Sequence, residues 1–177
     1  FAIGSGGGAI TIDGTGIDAG VLMQGNQVAS GGGAVAITGN GADVGVSLDG
    51  SDVDSAGGDI DIDGTASEVG GTGIDLAGAG LLAGSGRVDI FGSAATGTGV
   101  RFDGASGIAT TTGDISLTGI GQEVGLALDG GELTTDSGHI DLRGRGMGAE
   151  SAGLVIGNGV NIVTDGGGIE LSGEGGN

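Results

Sequence analysis

The chain of 177 residues contains no Cys, Pro, Lys, Trp or Tyr, a single His and only three Phe. Without Cys there are neither disulfides nor thiolate metal sites, and one His excludes most transition-metal centres. The lack of Pro, with irregular Gly spacing, excludes a collagen triple helix. Positive charge is scarce: four Arg face 23 acidic residues, for a formal charge of −19. Such a surface repels phosphate backbones and anionic headgroups, so neither nucleic-acid binding nor membrane insertion is expected. No run approaches the roughly 20 apolar residues that span a bilayer. Helix is disfavoured as well, because Gly fills 49 of 177 positions and each costs about 1 kcal/mol relative to Ala in a helix.

What is present is a repeat. Leu, Ile, Val and Phe together make up about a quarter of the chain, close to the composition of disordered proteins, so order must come from their arrangement. A motif G-x-Φ-x-Φ-x-G, with Φ apolar, begins at Gly8, Gly33, Gly58, Gly86, Gly113, Gly138 and Gly167. Its first apolar residues are Ile10, Val35, Ile60, Val88, Ile115, Ile140 and Ile169, separated by 25, 25, 28, 27, 25 and 29 positions. Between successive copies lies a second motif, G-Φ-x-Φ-x-G, beginning at Gly20, Gly45, Gly73, Gly99 and Gly125, with a sixth copy at Gly153 that departs only at its last position. A third, weaker apolar position follows at Val28, Val53, Leu81 or Leu82, Ile108, Leu133 and Val160.

Alternation with period two marks strands. Each strand is too short to fold alone, so equivalents must stack on one another. The expectation is an all-β, single-stranded parallel β-helix of six to seven coils, about 25–29 residues each, right-handed by the crossover rule. At the strand spacing of about 4.7–4.9 Å the rod is roughly 30 Å long. Gly at both ends of each strand fits corners that need φ > 0 or close backbone approach. Extra residues are expected in the third segment and in the linkers 65–72 and 145–152. Phe1-Ala2-Ile3 reads as the tail of a preceding coil and 169–177 as a coil begun and not completed. Residues 1–177 are therefore expected to be one continuous segment of a longer chain, uncapped at both ends.

Stacking also turns outward residues into columns. The position before the first apolar residue runs Ala9, Ala34, Asp59, Arg87, Asp114, His139, Gly168, which sets Arg87 between two carboxylates and His139 beside Asp114. Asp75 falls under Arg101 in the second strand, while Asp61 with Asp89 and Asp103 with Asp129 stack as like charges. Solvated cross-coil pairing of this kind is worth roughly 0.2–1 kcal/mol per pair. Calcium is the one ion for which Asp52, Asp54, Asp59, Asp61 and Asp63 offer a rationale. Alternate residues of a strand stand about 6.6 Å apart, however, and so converge poorly on one ion. Ser137, His139 and Asp141 lie side by side on one strand, and Arg143 and Arg145 read as turn residues without partners. Thr110–Thr112 and Thr134–Thr135 do not recur as a threonine array. Phe91 takes an outward slot among Asp13, Thr38, Asp63, Thr118, Arg143 and Ser172. No catalytic, cofactor-binding or metal-ligating residue is assigned.

Both motifs at this period resemble the β-helical shafts of filamentous-haemagglutinin-like exoproteins of two-partner secretion and of giant bacterial repeat adhesins. The resemblance covers nearly the whole chain. The Asn-Pro motif of that family's secretion domain is missing, as there is no Pro. The likeness implies an extracellular or cell-surface structural shaft or filament segment that is not an enzyme and carries no cofactor. Its expected partners are neighbouring repeats of the parent chain, head-to-tail or lateral copies, and a host or cell-surface ligand. An adhesive face for glycan or protein, a calcium-dependent surface-layer segment and, behind these, a polysaccharide-active enzyme are the alternatives.

Overall fold

The computed structural model describes residues 1–176, so Asn177, the last residue of the expected segment, lies outside it. Among the described residues there are strands and turns and no helix. A seven-stranded parallel sheet is made of the first motif: Ile10–Thr15, Val35–Gly41, Ile60–Ala66, Val88–Ala94, Ile115–Gly121, Ile140–Gly146 and Ile169–Glu174. The second motif supplies Ala19–Gln24, Val44–Asp49, Thr72–Ala77 and Ala152–Ile156. The third segment supplies Ala2–Gly4, Gln27–Ala29, Asp52–Asp54, Gly80–Gly84 and Asn161–Thr164. Two long bent strands, Thr98–Thr110 and Val124–Thr135, run through both and join them into an eleven-stranded sheet. The chain is thus a parallel β-solenoid of about seven turns, as the motif spacing requires.

The core is five columns of apolar side chains, aliphatic but for Met23 and Phe102. The first two run from Ile10 and Ile12 to Ile169 and Leu171. The third passes through Val21, Val46, Ile74, Val100, Leu126 and Leu154. A fourth beside it holds Met23, Leu48, Leu76, Phe102, Leu128 and Ile156. The fifth holds Ile3, Val28, Val53, Leu81, Ile108, Leu133 and Ile162. In the middle coils these side chains are fully buried, each contributing about 1.5–3 kcal/mol by leaving water. The fifth column decides between Leu81 and Leu82: Leu81 is buried and Leu82 points out. It also corrects one expectation, since Ile162 and not Val160 stacks on Leu133. A longer turn, 157–160, carries Val160 out of register before the strand resumes. Ile3 stacks on Val28, and the extra residues of the longer coils sit mostly in the turns 67–71 and 147–151, with single ones before Thr98, between Gly104 and Gly107 and in 157–160.

Glycine divides into two classes. At the end of the first motif, Gly14, Gly39, Gly64, Gly92, Gly119 and Gly144 have ordinary φ. A Cβ on any of them would strike the backbone carbonyl of the glycine that opens the second motif in the same coil. The opening glycines Gly33, Gly58, Gly86, Gly113, Gly138 and Gly167 would each strike the carbonyl of the equivalent glycine one coil earlier. These columns exist because two backbones touch. Left-handed backbone falls at corners after the second and third segments, for example Gly25 (φ 61°) and Gly50 (φ 57°), and in the two longer turns before the second motif, at Gly70 (φ 78°) and Glu150 (φ 61°); a Cβ is disfavoured there by conformation. The expected φ > 0 role therefore belongs to the corners, the closing glycines Gly25, Gly50, Gly78 and Gly130 of the second motif among them, while close approach explains the glycines that open and close the first motif.

Candidate functional site

Outward side chains of the seven-stranded sheet form the most charged face. Arg87 lies across three strand positions: its guanidinium meets Asp59 at 3.4 Å, Asp61 at 2.9 Å and Asp89 at 3.0 Å. Asp61 and Asp89 stand opposite each other in register, so the like-charged pair expected to repel is bridged by one cation. The expected contact on the other side, with Asp114, is not made, because the long side chain lies toward the three carboxylates of its own and the preceding coil. Burial raises the Asp61 pKa above its ordinary value. Arg87 opposes the shift, and Asp59, Asp89 and Asp63 add to it. Asp61 foremost, with Asp89 and Asp59, raises the Arg87 pKa.

The other cations are also paired. Arg101 makes a two-pronged contact with Asp75, 2.8 Å at both nitrogens, the geometry that suits guanidinium and carboxylate best. Asp114 accepts a hydrogen bond from the His139 backbone N–H at 2.7 Å, and the imidazole Nδ1 lies 4.0 Å from the same oxygen. Arg143 meets Asp141 at 2.7 Å and Arg145 meets Glu174 at 3.7 Å. Both arginines lie on the strand Ile140–Gly146, not in a turn, which corrects the expectation that they stand alone. Period two explains it: Arg143 and Asp141 are alternate residues on one outward face, and Arg145 and Glu174 are register partners in adjacent coils.

Ser137, His139 and Asp141 do not form a relay, since His139 turns to Asp114 and Asp141 to Arg143. The carboxylates Asp52, Asp54, Asp59, Asp61 and Asp63 share coils without converging. Among the described residues, no group of three His, Cys, Asp or Glu is placed to hold a metal ion. Asp103 and Asp129 stack in register as expected. Phe91 faces outward, 39% exposed, with Asp63 and Thr118 as its register neighbours.

One polar column escaped the motif reading. Ser5, Ser30, Ser55, Thr110, Thr135 and Thr164 recur at the coil spacing, with Ala83 at the position between Ser55 and Thr110. The hydroxyls of Ser5, Ser30 and Ser55 donate to the carbonyls of Gly8, Gly33 and Gly58. Thr110 donates to Gly113 at 2.6 Å, and Thr164 reaches Gly138 at 3.1 Å. Thr110 and Thr135 are therefore buried corner braces. The signal was in the sequence, as a Ser or Thr three residues before the opening glycine of the first motif. Buried carbonyls at a corner need a donor, and a short hydroxyl supplies one. No family model matches this chain, and neither does any curated protein or solved structure.

Proposed function

We propose that this chain is a length of structural shaft in an extracellular bacterial surface protein of the filamentous-haemagglutinin-like or repeat-adhesin kind. On this reading it acts mechanically, as a spacer or filament body, and performs no reaction of its own. The observation that carries it is the unbroken register of the seven-stranded sheet, in which each coil repeats the same two inward aliphatics, fully buried in the middle coils, beside recurring glycine contacts. Such an object gains length by adding coils without changing its cross-section. The excess negative charge keeps neighbouring rods apart.

Two measurements test the reading. Deleting residues 35–59 removes one coil. The variant should stay folded, with a maximum dimension in solution scattering shorter by about 4.8 Å; collapse to an unfolded profile counts against a modular shaft. Antibodies to the chain should label intact cells that make the parent protein, and labelling only after permeabilisation would reject the surface assignment. An adhesive face ranks second, supported by exposed Phe91 on an otherwise polar sheet. Saturable hits on a glycan array that vanish in Phe91→Ala would move it ahead.

A further inference from the structure

Each arginine is held by carboxylates beside it: Arg87 by Asp59, Asp61 and Asp89, Arg101 by Asp75, Arg143 by Asp141, Arg145 by Glu174. Two carboxylates on the opposite sheet face a gap instead. The outward column of the third segment reads Gln27, Asp52, Gly80, Gly107, Glu132, Asn161 in register. The two adjacent glycines open a trough of about 300 Å³ between Asp52 and Glu132. Leu82, Ala105 and Ala109 line its sides, and Leu82 is 49% exposed there. A Cβ on Gly107 would meet nothing within 4 Å, whereas one on Gly80 would run into the Asp52 carboxylate, which leans into the trough. At the far end Glu132 accepts a hydrogen bond from Asn161 Nδ2 at 2.9 Å.

The trough is therefore flanked mainly by apolar side chains, with Thr134 beside Glu132, and is anionic at both ends; the Cα positions of Asp52 and Glu132 are three strand steps, about 14 Å, apart. Among the described residues no arginine or histidine pairs with either carboxylate. From this placement we infer that the trough binds a short linear aliphatic diamine, with one ammonium at Asp52, the other at Glu132 and the methylenes over Leu82 and Ala109. A cation with a single charge, including a lone lysine side chain, satisfies one end and leaves the other unpaired. The site lies among the middle coils and does not rest on the shaft reading.

The experiment is a titration of the isotope-labelled chain with 1,4-diaminobutane in about 0.15 M salt, where long-range attraction is screened. Saturable amide shifts are expected at Gly80 and Gly107, with n-butylamine binding about threefold more weakly or worse. Gly107→Leu fills the trough and keeps both carboxylates; it should abolish the local shifts. Asp52→Asn, nearly the same shape, should weaken them several-fold, whereas Asp103→Asn should not. Equal binding of the monoamine, shifts spread over all acidic columns, or full binding by Gly107→Leu would each overturn the site. Backbone spectra of the variants show directly whether they are folded.

Discussion

The seven-stranded sheet and the third segment repeat at the same period on the same chain, yet they hold register differently. In the sheet each strand carries two inward aliphatics flanked by two glycines, and pairing runs through all seven strands without a slip. The third segment carries one inward aliphatic per coil, and its pairing shifts between Leu82 and Gly84 and between Gly104 and Gly107. A one-residue slip in the sheet would turn two core side chains outward and drive side chains into the glycine contacts. In the third segment it displaces one side chain, and a corner can absorb it. Register is as firm as the number of contacts a slip would break.

The largest test of that contrast is to force the slip. Inserting one Gly after Asp61 should abolish cooperative unfolding, while the same insertion after Ser85, in a turn, should leave a folded protein. Circular dichroism against temperature separates the two. Ile62→Asp should be about as severe, because it puts a charge in the aliphatic interior at a cost well above about 4 kcal/mol. Equal tolerance of both insertions would remove the distinction between the faces.

Next in size are the two kinds of glycine. Gly64→Ala presses a methyl against the Gly73 carbonyl and the Ile74 side chain, so a loss of about 3 kcal/mol or more in denaturant unfolding is expected. Gly50→Ala meets open space but keeps a left-handed backbone, for a loss of about 1 kcal/mol. The converse change tests the same point. Ala56 sits at φ 53°, where its counterparts Gly6 and Gly31 have φ 66° and 71°, and Ala56→Gly should stabilise by up to about 1 kcal/mol.

The smallest expected effect is electrostatic. Because the folded-state pKa of Asp61 is raised, the folded chain holds that proton more readily than the unfolded one. Stability from this group is fully present at acid pH and is lost as pH rises through the carboxylate range. Asp61→Asn should therefore gain at most a few tenths of a kcal/mol over the parent at pH 7, the carboxylate being half exposed and screened, and nothing at pH 3. A loss of stability at pH 7 would show that the contact with Arg87 outweighs burial. In either case Asp61→Asn leaves folding intact, in contrast to Ile62→Asp one residue away.

Much of this could be read before the coordinates. The two motifs placed Ile37, Ile62 and Ile90 in one column and set Arg101 over Asp75, since period and spacing alone fix which residues share a height and a face. Where spacing varies the column is not fixed by the motif: the spacing points to Val160, but Ile162 stacks on Leu133, because turn length decides where a strand with a single inward residue resumes. Arg145 lies on a strand and not in a turn because the strand Ile140–Gly146 continues past Gly144, the closing glycine of its motif, whereas Arg143 sits inside the motif in its last outward slot. The partner choice of Arg87 was out of reach, as a long side chain on an open face selects among several neighbours. The trough over Gly80 and Gly107 was hidden in the same way, since two glycines become a cavity only when adjacent coils set them side by side.

The sequence alone determined the period, the faces and the four apolar columns of the two motifs, because alternation and repeat length are properties of the chain itself. Tertiary structure decided which glycines serve contact and which serve turns, which carboxylates Arg87, Arg143 and Arg145 hold, and where the surface is open. Those depend on distances between coils, and such distances exist only after the backbones have met.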